Sequence, residues 1–270
     1  MQNLLTKTRI EALDDREVLS IGVLSDTRPV RGHIWPEMLE ELNHKHDPDI
    51  IVNGGDFTDW SRRWEYREYV EMIEPYKHKM VHVMGNHDNR LFGTAYFRKH
   101  FGPTDFVIEH GDWILVFVRN AYTLCDGLKR RQRDWLSDMI LGDYQHNKVC
   151  LFAHVPQMEY FGGFLNKNKL VRDDYMREVL AKVDLSVFGH AHLLAACSTT
   201  TGISVVSGGG APKLYPVDRF IHKIEGELRR YAWSVNHSLI INLHQGGAFD
   251  INMVRRGGDL HPDYRIEGPS

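Results

Sequence analysis

The chain predicts a mixed α/β layered fold with helices covering sheets, and three observations point to it. Short apolar or β-branched runs alternate with helix-periodic stretches through the first hundred residues. A hairpin signal follows at His110-Gly111-Asp112, between two apolar runs. Several of the runs then stop abruptly at glycine followed by aspartate, asparagine or histidine, which is how a buried strand meets a functional rim.

Each element has its own reason. Residues 18–25 form the first strand, left through Asp26-Thr27-Arg28-Pro29. Over 36–46, Met38, Leu39 and Leu42 recur at helical spacing. The second strand, 50–53, runs into Asn53-Gly54-Gly55-Asp56-Phe57-Thr58-Asp59. Its glycines permit a sharp turn and a close approach, so Asp56 projects over the strand end. A helix over about 61–74 has Ser61 or Asp59 as its N-cap. The third strand, 80–84, stops at Gly85-Asn86-His87-Asp88. Residues 106–109 and 113–118 pair antiparallel about the hairpin turn.

An amphipathic helix over 129–141 turns Trp135, Leu136 and Met139 inward. Strand 149–153 ends at His154, a helix spans 170–183, and strand 185–188 ends in Gly189-His190-Ala191-His192. Residues 203–207 are a strand closed by Gly208-Gly209-Gly210, and 231–254 read as strands broken at Gly246-Gly247. The expected organisation is one domain over 1–258, with a β-rich extension from about 211 that packs against a sheet, and a frayed tail over 259–270.

Composition narrows the function. With 270 residues, 42% hydrophobic and 26% charged, the chain is long enough to bury a sizeable core. A formal net charge of -3 gives no electrostatic case for a nucleic-acid partner, and Lys129-Arg130-Arg131 reads as a solvated helix start. Cys125, Cys150 and Cys197 fit neither a disulfide framework nor a four-cysteine zinc site. No stretch approaches the ~20 apolar residues that span a bilayer, and the N-terminus has no apolar leader core. A reducing, cytoplasmic location is the expectation. The oligomeric state is left open.

Five strand exits carry Asp26, Asp56, Asn86, His154 and the pair His190/His192. Singly, each has an ordinary explanation: a turn asparagine, a buried histidine, a glycine turn. Together they form a mixed oxygen and imidazole set suited to Mn²⁺, Fe, Zn²⁺ or Co²⁺ rather than a pure Ca²⁺ cage. His190 and His192, two apart, share a face if the segment is extended.

In these blocks the chain resembles the calcineurin-like metallophosphoesterases, whose pattern is Asp-x-His, Gly-Asp-x-x-Asp, Gly-Asn-His-Asp/Glu, a lone His and Gly-His-x-His. Here they read Asp26-Thr27-Arg28, Gly55-Asp56-Phe57-Thr58-Asp59, Gly85-Asn86-His87-Asp88, His154 and Gly189-His190-Ala191-His192. The resemblance runs from about 18 to about 210. It implies a four-layer αββα sandwich of two mixed β-sheets flanked by helices, with two divalent ions where the strands end. It further implies that Asp56 bridges the ions, that Asp26 and His192 complete the first site, and that Asn86, His154 and His190 complete the second. His87 would sit beside the substrate as electrostatic stabiliser or general acid, oriented by Asp88. Two ions ~3.5–4 Å apart would clamp the phosphoryl group of a small phosphorylated substrate and activate water for in-line attack.

One residue departs from the pattern. Arg28 stands where the first block has histidine, and a guanidinium has no lone pair to give a metal. If the strand continues, positions 26 and 28 share a face and Arg28 points at the first site. Three outcomes are open: Arg28 forks onto the substrate phosphate beside one remaining ion; it swings out under the constraint of Pro29; or the centre is degenerate and the protein is a binding scaffold. His33, a potential replacement ligand, reads as a surface histidine. The expectation is a firm second site and a weak or empty first one.

The substrate is less legible. Trp60 and Trp64 after the second block, and Tyr160, Phe161 and Phe164 after His154, could stack a nucleobase or simply pack. A lipid-linked nucleotide-sugar hydrolase is disfavoured, since such relatives typically carry arginine where this chain has His87. A small-molecule phosphodiesterase is favoured, ahead of a phosphomonoesterase.

Overall fold

The structure is a computed structural model and describes residues 2–13, 16–28, 34–122, 125–161, 170–216 and 233–268. Pro29, His33, Phe164 and the expected strand start at Tyr231 lie outside these.

The chain runs α1 (Gln2–Glu11), β1 (Val18–Leu24), α2 (Trp35–His46), β2 (Ile50–Asn53), α3 (Arg63–Met72), β3 (Met80–His82) and α4 (Gly93–His100). It continues through β4 (Phe106–His110), β5 (Trp113–Phe117), α5 (Arg130–Asp138), β6 (Lys148–Phe152), α6 (Met158–Phe161), α7 (Asp174–Leu180) and β7 (Leu185–Phe188). The remaining strands are β8 (Leu194–Ser198), β9 (Ile203–Ser207), β10 (His237–His244), β11 (Phe249–Arg255) and β12 (Leu260–Glu267). Two six-stranded mixed sheets result, in the orders β12-β11-β10-β1-β2-β3 and β4-β5-β6-β7-β9-β8. None of the described helices is long and apolar enough to cross a membrane.

Strand alternation builds the layers. On β5, Trp113, Leu115 and Phe117 face the other sheet, while Ile114 and Val116 face helices. The inter-sheet core joins these to Leu19, Ile21, Val23, Ile50, Val52, Leu239 and Ile241. A second core packs β5 and β6 against α5 and α7, and a third packs β1 and β2 against α2, α3 and α4 through Trp35, Tyr66, Tyr69 and Phe97. Three apolar seams between four layers are the αββα sandwich expected from the resemblance.

Each sheet contains a parallel run: β1, β2 and β3 in one, β5, β6, β7 and β9 in the other. Parallel strands bring all their carboxyl ends to one rim, the usual place for a ligand in an α/β sheet.

Several expectations need correction. The tail expected to fray over 259–270 contributes β12, which pairs antiparallel with β11 and buries Tyr264 and Ile266 in the inter-sheet core. Those two apolar residues stand at alternate positions among charges, so they bury while their neighbours stay wet. The extension enters the first sheet, where β10 pairs with β1. The helix expected over 170–183 starts only at Asp174, because the Asp173 carboxylate accepts from the Tyr175 N–H as N-cap and Val171 is drawn into a bridge with Gln157. Neither Ser61 nor Asp59 caps α3. The Glu65 carboxylate does so from inside the first turn, accepting from the Arg62 N–H at 2.6 Å.

Candidate metal centre

All six expected ligands lie where β1, β2, β3, β6 and β7 stop. Four of them, Asp26 (φ 62°), Asp56 (57°), His190 (67°) and His192 (51°), hold the left-handed backbone conformation that L-residues rarely adopt. The extended geometry expected at 26–28 and 190–192 is therefore replaced by kinks that re-aim each side chain. Close approach is secured by Gly85, where a Cβ would lie 2.2 Å from Asp56 Oδ1, and by Gly55, where it would lie 2.6 Å from His154 Nδ1.

Three of the residues assigned by resemblance to the second site, Asp56, His154 and His190, converge. His154 Nε2 is 3.3 Å from Asp56 Oδ1 and 3.2 Å from His190 Nδ1. The donor atoms of Asp56, His154 and His190 all fall within 4.8 Å of one another. His154 Nδ1–H donates to the Gly54 carbonyl at 2.8 Å, which fixes the ring and turns Nε2 toward Asp56. On the other side, His192 Nε2 is 3.4 Å from Asp26 Oδ1, and His192 Nδ1–H donates to the Lys213 carbonyl at 2.8 Å. Asp26 Oδ2 is occupied by the Ser25 hydroxyl (2.8 Å) and the His190 N–H (2.9 Å), so Oδ1 alone turns into the site.

Arg28 turns inward. Its Nη2 is 3.1 Å from Asp56 Oδ2 and its Nη1 is 3.5 Å from Asp59 Oδ1, with the side chain 17% exposed. Asp56 thus divides its oxygens, Oδ1 to His154 and the His87 N–H, and Oδ2 to Arg28.

His87 and Asp88 are not the pair expected. The Asp88 carboxylate points into the protein, accepting from the N–H groups of Asp56 (2.7 Å), Gly85 (2.9 Å) and Thr58 (2.9 Å) and from the Thr58 hydroxyl. It ties two ligand loops together and does not orient His87. That task falls to Asp59, whose carbonyl accepts from His87 Nδ1–H at 2.8 Å and whose carboxylate lies 3.3 Å from the same nitrogen. Asp59 closes the Gly-Asp-x-x-Asp block, and its place in that motif was the signal available for it. Arg90, also unassigned by sequence reasoning, has Nη2 3.4 Å from His87 Nε2.

Electrostatics follow from this packing. Burial alone would raise Asp26, yet the facing His192 with His154 holds it at about 2. Burial opposes ionisation of Asp56 too, and His154, His87 and Arg28 outweigh it, keeping that carboxyl well below the usual range. Burial together with the Asp56 charge raises Asp88 to about 7 despite its hydrogen bonds. Burial, reinforced by Arg28 and Arg90, outweighs Asp56 at His87 and lowers it from the ordinary histidine value.

The residues fit a cation. Asp26 Oδ1, Asn86 Oδ1 and His192 Nε2 are buried acceptors without a hydrogen-bond partner. Buried polar atoms are nearly always satisfied, and an acceptor-only cluster of carboxylate, amide and imidazole is satisfied by a metal ion. Of the rim aromatics, Phe161 packs in the helix-side core, whereas Trp60 and Trp64 are about half exposed.

The chain belongs to the calcineurin-like phosphoesterase family, whose profile matches residues 19–194. Comparison with curated protein sequences returns no match. Among solved structures, a purple acid phosphatase from yellow lupin seeds superposes with a TM-score of 0.69 at 12% identity, covering 94% of this chain and 54% of that one. The Plasmodium protein GAP50, described as an anchor in the inner membrane complex, gives 0.69 at 12% identity over 94% of this chain and 89% of that one. Vacuolar protein sorting 29 from Cryptosporidium parvum gives 0.51 at 12%, over 93% and 98%. At these identities the likeness is one of fold. The present chain spans about half the length of the lupin protein.

Proposed function

We propose that the protein hydrolyses small, nucleotide-like phosphodiesters, with Asp56, Asn86, His154 and His190 holding one divalent ion firmly and Asp26, Asp56 and His192 holding a second weakly. The observation that carries this reading is the Arg28–Asp56 Oδ2 contact of 3.1 Å, a fixed cation on the carboxylate oxygen that His154 does not engage. A guanidinium there repels a second cation but suits a phosphate dianion or diester anion. A bound ion supplies Lewis-acid neutralisation of phosphoryl charge. Arg28 orients a phosphoryl oxygen through its fork while Asp59 braces Nη1. His87, held by Asp59 through Nδ1, moves a proton at Nε2 beside the leaving oxygen. Asp88 keeps the Asp56 and Asn86 loops in register.

The test is hydrolysis of bis-p-nitrophenyl phosphate against p-nitrophenyl phosphate with Mn²⁺, then with chelator added. Faster turnover of the diester, abolished by chelation, supports the proposal; faster turnover of the monoester moves the protein to the phosphomonoesterase reading. Failure to turn over either ester with Mn²⁺, Fe²⁺, Zn²⁺ or Co²⁺ overturns it in favour of a binding scaffold.

A further inference from the structure

We infer that Trp60 and Arg90 form a platform that takes a planar aromatic ring, a nucleobase or aryl group, of the phosphoester bound at the metal centre; this rests on the function proposed above.

Trp60 is 50% exposed, yet its segment is firmly built. The backbone N–H groups of Asp59 and Trp60 donate to the Glu65 carboxylate. Ser61, fully buried at φ 55°, donates its hydroxyl to the His87 carbonyl at 2.5 Å and accepts from the Arg90 N–H at 2.9 Å. The loops at 59–62 and 87–90 are thereby stitched into one rigid edge of the site.

Arg90 joins the two functions of that edge. Its guanidinium carbon lies 4.4 Å over the Trp60 ring, Nη1 donates to the Asp59 carbonyl at 3.1 Å, and Nη2 is 3.4 Å from His87 Nε2. One planar group therefore touches both the imidazole beside the reacting phosphate and the exposed indole. A substituent leaving the phosphate on the His87 side meets Arg90 and Trp60 first. Indole offers a π face and guanidinium offers in-plane donors, a pairing that matches a flat ring with acceptor edges. An aliphatic chain would cover the indole but leave the Arg90 donors facing hydrocarbon. Leu91 and Phe92, 78% and 73% exposed, follow directly, with Leu91 held at φ 48°. Trp60 is on this account a specificity-determining residue and not a catalytic one.

The experiment is calorimetric binding to the Mn²⁺-loaded protein of adenosine 5′-monophosphate and ribose 5-phosphate, which share phosphate and pentose and differ by the base. Stacking on an aromatic platform predicts adenosine 5′-monophosphate bound about tenfold tighter. W60F, which keeps a π face, retains that preference, and W60L loses it. Equal affinities in the native protein, or a preference that survives in W60L, overturn the inference and leave the hydrolase reading standing. Failure of both ligands to bind overturns the phosphate-site reading and this inference with it. Partition onto phosphatidylcholine vesicles that W60L abolishes, without a base preference, assigns the patch to a lipid surface and likewise overturns it.

Discussion

On the His154 side of Asp56, an imidazole whose outer nitrogen donates to the Gly54 carbonyl faces a carboxylate oxygen that also accepts from the His87 N–H. On the Arg28 side, the same carboxylate meets a guanidinium, and the remaining candidate ligands, Asp26 and His192, face each other across 3.4 Å. Both halves use the same devices: left-handed kinks, glycine clearances and an imidazole locked by a backbone carbonyl. They differ where Arg28 meets Asp56 Oδ2. On the function proposed above, a permanent charge where a lone pair would have been biases a two-ion scaffold toward one ion and leaves the other ligands in place.

The largest effect should come from breaking the stronger half. His154→Ala removes a buried ligand that touches both Asp56 and His190, and should lower Mn²⁺-dependent diesterase activity by at least about 100-fold. Steady-state kinetics at saturating Mn²⁺ checks it, and a loss under tenfold would argue against the assignment.

A stability measurement compares what lies beneath the two halves. His82, on the strand leading to Asn86, is held by burial at about 3, and His237, against Ser207, is held mainly by burial at about 4. The ordinary value is 6.5 for both. Between these values the unfolded chain binds protons that the folded chain does not, so stability falls as pH drops below about 6.5. The two together should cost about 3–4 kcal/mol between pH 7 and pH 5. Urea unfolding at the two pH values tests this, and the part due to His82 should vanish in His82→Gln.

Next comes the difference itself. Arg28→His restores a lone pair beside Asp26, and should raise tightly held Mn²⁺ from one ion to two per chain after dialysis against limiting metal. Two ions already retained by the native protein would remove the asymmetry. The smallest effect is expected at the brace between halves. Asp59→Asn weakens the contacts to Arg28 and His87 and should reduce kcat about tenfold with little change in KM. The acid limb of its pH–rate profile should also shift, because the carboxylate beside His87 Nδ1 is gone. An unmoved profile would confine Asp59 to a structural role.

Much of this was legible because the informative strands are continuous apolar runs cut by glycine. The runs at 50–53, 185–188 and 203–207 are strands to the residue. β8 was not anticipated, since Leu194-Ala195-Ala196-Cys197-Ser198 has no β-branched residue and shows its strand character only by pairing with β9. Nor was α4, whose first residue is glycine. In the site, ligand identity was readable from residue type at strand exits, but side-chain direction was not. Asp88 is adjacent to His87 in sequence and yet is turned inward by three backbone N–H groups, while Asp59, 28 residues away, does the orienting. The inward turn of Arg28 likewise depends on a kink at Asp26 that no local pattern announces.

Those kinks have a practical consequence. At positions 190 and 192 glycine would relieve a backbone penalty on the order of 1 kcal/mol each without stranding the buried donors that Asp26 and Asp56 satisfy, so selection for heat resistance alone should drift toward glycine there. A thermal screen run without an activity filter would then harvest improved folders with an emptied rim, and the positions it recovers would map the site as faithfully as a loss-of-function scan.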